Sequence, residues 1–448
     1  MWFKAVELLG SLSLLIVLHE LGHFLAAKYF KVRVEKFYLF FDFMFPMPNV
    51  LNFSLFKKKI GDTEYGIGWF PMGGYVQMSG IMDETMDKGA LAKPAQPHEF
   101  RAKPAWQRLI ILLGGIIVNI LLAMVIYTGM SYTWGDEYLP NENAIYGIAV
   151  DSLGASMGLK DGDKITHVDG VEVDNFNDIR MTMILDLAEN ITVKRAYKVF
   201  KIEGLDDGFY AKILNKKGRM FDLNVPPVMS VFPSKSLIKE AGAQEGDKIL
   251  AINNVKVASQ NKVAEIKETL GNQTVAVLIE REGQTKELTI TFDETPMLGY
   301  SVDANSLFTF ERTNYTVGQA IVAGPVKTWK TFTDYLKQFK LIFNKKIKGY
   351  KQVGGFAAIG GMFPAKELFT WEKFWSLTAF LSIMLAFLNL LPIPGLDGGH
   401  SVFVLYEMVV GKPANEKFME YTQMVGMALL FALLIYANGN DIYKAIFG

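Results

Sequence analysis

No cysteine occurs anywhere in the 448 residues, which excludes a disulfide framework, a cysteine-ligated zinc site and a thiol nucleophile. Neither sign of charge is in excess. The 46 basic side chains are matched by 46 acidic ones, so there is no global electrostatic footprint for nucleic acid. Charged residues are scarce at 21%, while hydrophobic ones reach 50%. That balance rules out disorder, collagen-like repeats and low complexity. What fits at this length is a chain of two or three folded domains.

Four apolar stretches approach the roughly 20 residues that cross a bilayer. They cover about 6–30, 109–132, 374–391 and 424–437. Four such runs in one chain predict a polytopic α-helical membrane protein. The first differs from a signal peptide: His19, Glu20 and His23 follow its apolar run immediately, and Ala26 and Ala27 lie beyond them in continued helical sequence. It reads as a retained span. Residues 28–108 hold 12 Lys/Arg against 8 Asp/Glu, including Lys57-Lys58-Lys59 and the cluster Arg101, Lys103 and Arg108. Basic residues near span ends favour the cytoplasmic side. The expectation is 28–108 inside, with the long 133–373 segment and both termini outside.

The middle of the chain contains a repeat. Residues 158–173 align with 242–257 at a fixed offset of 84. Gly158, Gly162, Asp163, Ile165, Val168, Val171 and Val173 stand opposite Gly242, Gly246, Asp247, Ile249, Ile252, Val255 and Val257. A Gly-Asp turn leads into a short alternating strand, then an Asx/Gly turn and another strand, which is a hairpin signal. Further strands, such as 274–281 and 287–292, follow a helical stretch. Two tandem α+β modules are expected, at 140–225 and 226–300, and their pattern resembles PDZ domains of the bacterial, circularly permuted kind. The resemblance implies a groove where an extended chain adds to a sheet edge, beside Tyr146-Gly147-Ile148 and Met229-Ser230-Val231. The other reading is that the modules bind no peptide and only shield or size-filter an entrance. Residues 301–373 form a connector in which Trp329, Phe332, Leu336, Phe339, Phe343 and Ile347 recur at three- and four-residue spacing. This is an amphipathic helix, either packed on the modules or lying at the membrane surface.

The chemistry sits in the first span. His19-Glu20-Leu21-Gly22-His23 is an H-E-x-x-H motif. On a helix its histidines share one face and can hold one cation, with Glu20 beside the first of them as general base toward water. Such a motif alone is weak, but ionisable groups inside a span indicate function. A two-histidine site needs a third protein ligand. Pro392 and Pro394 interrupt the third span, and irregular backbone at that depth must line protein or water. Asp397, followed by Gly398 and Gly399, is the best oxygen ligand; His400 is a rival that is equally read as a capping or surface histidine.

Together these features resemble the site-2 protease family of intramembrane zinc metalloproteases, in its bacterial RseP-like form. The resemblance rests on H-E-x-G-H, on the run from Asn389 through Pro392, Pro394 and Asp397 to His400, and on the interposed PDZ-like pair. The stretch from Gly66 and Gly68 through Gly73 and Gly74 to Val76, and the run Phe100, Lys103, Arg108, Gly115 and Asn119, extend it over nearly the whole chain. It implies one Zn2+ held by His19, His23 and Asp397, with Glu20 activating water. Asn389 would orient substrate or the developing oxyanion. Asn389 and Asn119 are otherwise read as interhelical hydrogen-bonding residues. The segment at about 52–76 would form a membrane-reentrant β-hairpin, with Gly66 and Gly68 in its substrate-binding stretch and a free edge to receive a substrate strand. The membrane halves would be 1–132 and 374–448. Implied partners are the lipid bilayer and single-span membrane proteins, an anti-sigma factor or a remnant signal peptide, at the inner membrane of an outer-membrane organism. The modules would face the periplasm. Two other classes share some features: a metal transporter, for which the modules are unexplained, and an inactive scaffold, for which Glu20 is unexplained.

Overall fold

The computed structural model describes residues 2–44, 51–71, 73–81, 94–215, 219–294 and 296–447. The chain divides into two compact units, one of residues 1–135, 314–336 and 353–448, the other of 136–313 and 337–352.

The first unit begins with α1 (Trp2–Tyr29), followed by the strands β1 (Val34–Leu39), β2 (Ser54–Ile60), β3 (Thr63–Gly68) and β4 (Tyr75–Met78), and then by α2 (Ala105–Trp134). Later in the chain come α3 (Val317–Phe343), α4 (Phe356–Met362), α5 (Trp371–Leu390), α6 (Asp397–Val410) and α7 (Glu416–Phe447). Four helices, α1, α2, α5 and residues 417–447 of α7, are long and apolar enough to cross a bilayer, so this is a polytopic membrane protein. At 1.5 Å per residue, α1 is about 42 Å long, more than a hydrocarbon core of about 30 Å requires. α1 and α2 meet where Gly22 lies on Gly114: a Cβ on either would strike the backbone of the other. Without a hydrophobic drive between helices in lipid, such small-residue contacts bring backbones together.

The four strands form one sheet in the order β2-β3-β1-β4. β1 runs parallel to β3; the outer pairs are antiparallel. The β2–β3 turn has Gly61 at φ 63°, a conformation glycine takes at no steric cost. Within this unit the first part of α3 packs on two spans. Tyr127 Oη lies 3.3 Å from Thr331 Oγ1, Lys327 Nζ donates to Ser131 Oγ at 2.6 Å, and the Tyr335 and Phe387 rings stack edge to face at 5.1 Å. Of the face legible in the sequence, Phe332 meets Phe387 of α5, whereas Trp329 and Phe343 stay exposed; the side that lies on α2 also carries Gly324, which presses on Met124 and Thr128.

The second unit contains two sheets of the same strand order. In one, Lys198–Glu203, Asn190–Arg195, Lys164–Val168 and Val171–Glu172 lie side by side; in the other, Gln284–Thr291, Thr274–Arg281, Lys248–Ile252 and Val255–Lys256 do. Even the irregularity of pairing repeats, between Ile165 and His167 and between Ile249 and Ala251. A common clamp explains the Gly-Asp turns. Arg281 Nε and Nη2 donate to Asp247 at 2.7 and 2.6 Å, and Nη2 also reaches the Gly242 carbonyl at 2.8 Å. Arg195 does the same to Asp163 and the Gly158 carbonyl at 2.7–2.8 Å. Both aspartates are fully buried. Burial by itself raises the Asp247 carboxyl, but the Arg281 fork and the Gln244 N–H outweigh it and hold the group below its ordinary range.

Removing one partner of such a pair strands the other charge. Arg281→Ala is expected to destabilise the second module, read as faster amide exchange over residues 242–252 of the intact protein. Because the folded carboxyl ionises below the unfolded value of about 4, its contribution is complete above that value and fades as pH falls further. The Arg281→Ala penalty should therefore shrink in strong acid.

Candidate metal centre

α1 presents His19 and His23 one turn apart on the same buried face. They lie about 5 and 11 Å past the midpoint of the helix at 1.5 Å per residue. Across from them, α5 stops at Leu390 because the following segment contains Pro392 and Pro394, which cannot donate to the helix. Gly395 takes φ 98°, and α6 starts afresh at Asp397. This reversal is tight. A Cβ on Gly398 would meet the Leu390 and Leu391 carbonyls, and one on Gly399 would meet Ile393. It sets Asp397 in the first turn of α6, where a carboxylate is favoured by the helix dipole.

The reversal brings the distant aspartate to the histidines. Asp397 Oδ2 is 3.1 Å from His19 Nε2 and 3.2 Å from His23 Nε2, and the two Nε2 atoms are 3.2 Å apart. Among the described residues these three form the one group of metal-ligating side chains whose donor atoms converge, all within 4.8 Å. A tetrahedral zinc with bonds of about 2.0–2.1 Å holds its ligand atoms roughly 3.3 Å apart. The donor set and its spacing therefore fit zinc, with a fourth position left open. His400 is not part of the group.

Each imidazole is oriented from behind. His23 Nδ1 donates to the Ile111 carbonyl at 2.8 Å, which leaves Nε2 unprotonated for a metal. His19 Nδ1 lies 3.2 Å from the Asn119 side-chain amide, whose Oδ1 has no partner in the orientation that places Nδ2 there. With His19 ligating through Nε2, its proton sits on Nδ1, and the amide turned to present Oδ1 satisfies both groups. Asn389, at the end of α5, aims Nδ2 at His19 Nε2 from 3.3 Å. Glu20 lies half-buried on the next face of α1, its Cγ 3.4 Å from the Cβ position of Gly74 just before β4.

Two further contributors had no site role legible in the sequence. A Cβ on Gly115 would lie 2.5 Å from His23 Nε2 and 2.6 Å from His19 Cε1, so only glycine lets both rings seat on α2. The Gly114-Gly115 pair in a span was a visible signal of close approach, though not of a site role. The Ile111 carbonyl left none, since a backbone group carries no residue type.

The other expected residues lie elsewhere. Gly66 and Gly68 are in β3, an inner strand whose neighbours are β2 and β1; they are glycine because the Tyr38 ring and the Phe41 backbone cover them. The outer strands of this sheet are β2 and β4. In the second unit, Gly147 N–H donates to the Ala144 carbonyl, and its carbonyl accepts from Asn224. Ile148 exchanges hydrogen bonds with Gly162 and Asp163, and the Tyr146 carbonyl accepts from Asn224 Nδ2. The strand Ile148–Val150 pairs with Phe221–Leu223, and Arg180 reaches the Phe221 carbonyl at 3.5 Å.

Comparison with known proteins gives a consistent picture. The model of peptidase family M50 matches residues 7–433. A Vibrio cholerae protein named as a candidate zinc metalloprotease is 27% identical over 96% of both chains. The regulator of sigma-E protease RseP of Escherichia coli K12 is 26% identical, again over 96% of both. The regulator of sigma E protease of Haemophilus influenzae is 26% identical over 97% of both.

Proposed function

The chain belongs to peptidase family M50, and from that premise we propose that this zinc metalloprotease hydrolyses peptide bonds within or beside transmembrane segments of other membrane proteins. The observation that carries the reading is the meeting on one point of His19 and His23, from the first span, with Asp397, from the helix that follows the third span, beside helices long enough to cross the bilayer.

In this reading His19 Nε2, His23 Nε2 and one Asp397 oxygen hold a single zinc ion, with Asn119 and the Ile111 carbonyl fixing the rings. Zinc bound there supplies a Lewis acid. Glu20 takes a proton from the attacking water and returns it to the leaving amine. Asn389 Nδ2 donates a hydrogen bond to the oxyanion that develops on the scissile carbonyl. A substrate helix hides its carbonyls in i to i−4 bonds and must unwind before attack. An outer strand of the four-stranded sheet then satisfies the released backbone groups where bulk water is scarce, with the β2–β3 hairpin dipping into the membrane and the chain before β4 lying beside Glu20.

The site sits in the bacterial inner membrane, with 28–108 cytoplasmic and the termini and tandem modules periplasmic. The two modules are PDZ-like, and they screen bulky substrates from the membrane unit. The relatives' names, regulators of sigma-E, support an anti-sigma factor as the substrate class; remnant signal peptides offer the same exposed single helix. The test is cleavage of a single-span model substrate by the purified full-length protein. One zinc per chain, loss of cleavage on chelation and recovery on adding zinc are expected. Cleavage indifferent to a chelator that strips the metal would overturn the assignment.

A further inference from the structure

α6 carries Asp397 on its first residue and Glu407 ten residues later, about 15 Å along the helix. Asp397, Ser401, Val404 and Glu407 follow one another at i+4, i+7 and i+10, a single helical stripe. Ser401 and Val404 are buried, and Val404 packs with Ile111 and Leu112 of α2 and Ala27 of α1. At the far end of the stripe Glu407 forms an ion pair with Arg108, in the first turn of α2. The pair is largely covered, the two side chains being 13% and 21% exposed.

Neither charge suits its own helix. A cation in the first turn of α2 opposes the positive end of that helix dipole, and an anion in the last turn of α6 opposes the negative end of the other. Local helix energetics therefore disfavour both residues, and the contact between the helices is what holds them. On α2 the same face runs from Arg108 to Ile111, whose carbonyl holds His23, then to Gly115, on which both rings sit, and then to Asn119, which holds His19. α2 is thus the template against which both histidines are set. Arg108–Glu407 is where the helix bearing the third ligand is fastened to that template.

We propose that Arg108 and Glu407 are positioning residues of the metal centre: their ion pair fixes the height and rotation of α6 on α2, so that Asp397 arrives beside His19 and His23. This rests on the reading of Asp397 as a zinc ligand. The experiment uses the full-length protein in proteoliposomes and compares wild type with Arg108→Gln, Glu407→Gln, Asp397→Ala and the double swap Arg108→Glu with Glu407→Arg. Zinc retention against a competing chelator, kcat and KM on a single-span substrate, and helical content are measured for each.

Each glutamine variant should remain helical, hold zinc about 10–100-fold less tightly and lose kcat in similar proportion, as when a group that orients a ligand is removed, with KM changed less than about twofold. The double swap should recover at least tenfold of the loss. Folded glutamine variants with wild-type zinc retention would overturn the proposal, as would a defect confined to KM or a folded double swap without recovery. If the double swap fails to fold, the glutamine variants decide alone. Should Asp397→Ala itself retain zinc like wild type, the zinc reading fails; should it lose zinc while Glu407→Gln does not, only this proposal fails.

Discussion

Glu20→Gln protein should carry one zinc per chain, as wild type does, and cut a membrane substrate about 10²–10⁴-fold more slowly, the usual worth of a positioned acid–base group. Glu20 follows His19 directly on α1 and so lies about 100° around the helix from it, on the face beside Gly74 and the sheet, outside the cluster of donor atoms. The substitution keeps volume and shape, leaves both imidazoles and Asp397 in place, and removes only the ability to take up a proton. Metal content by atomic absorption and cleavage of a single-span substrate are read on the same preparation. Loss of zinc together with activity would move Glu20 into the ligand set; full activity with zinc in place would remove it from the chemistry.

Asp397→Ala should behave in the opposite way, losing the metal first. Structural zinc sites bind with about 10–16 kcal/mol from four ligands, so one ligand accounts for about 3 kcal/mol, roughly a hundredfold in affinity or more. The loss is compounded here. Asp397 Oδ2 lies within 3.2 Å of both Nε2 atoms, and without it two buried imidazoles are left to hold the cation alone. Cleavage should be undetectable at trace zinc and recover in part at high zinc. Equal zinc retention by this variant and wild type would sink the three-ligand site, and with it the account of how the prolines after α5 serve the chemistry.

The spans, the H-E-x-x-H histidines and the tandem repeat were legible because each is written in local sequence. Apolar length, i to i+4 spacing and a recurring Gly-Asp turn need no knowledge of distant parts of the chain. Asp397 was readable only by elimination: prolines breaking a span, then an acid followed by two glycines. The sheet was less accessible. Alternating residues at 51–55 and 64–67 announce strands, but the parallel pairing of β1 with β3 places Gly66 and Gly68 on an inner strand, and register between segments some 30 residues apart leaves no local trace. The same holds at Tyr146, Gly147 and Ile148, whose backbone groups are taken by Asn224, Asp163 and Gly162, partners chosen by the folded module. The amphipathic helix was visible, but not what its face would meet, since period alone does not distinguish a module, a lipid surface or the backs of two spans.

The sequence by itself determined that this is a membrane protein with two histidines one turn apart and a glutamate beside them in one helix, because burial in lipid makes every ionisable residue there conspicuous. Only the tertiary structure decided which oxygen reaches those histidines, which groups turn the rings, and which ion pair ties α6 to α2. Those are matters of angle and separation between helices hundreds of residues apart, set by glycine contacts and close packing that no single stretch of sequence contains.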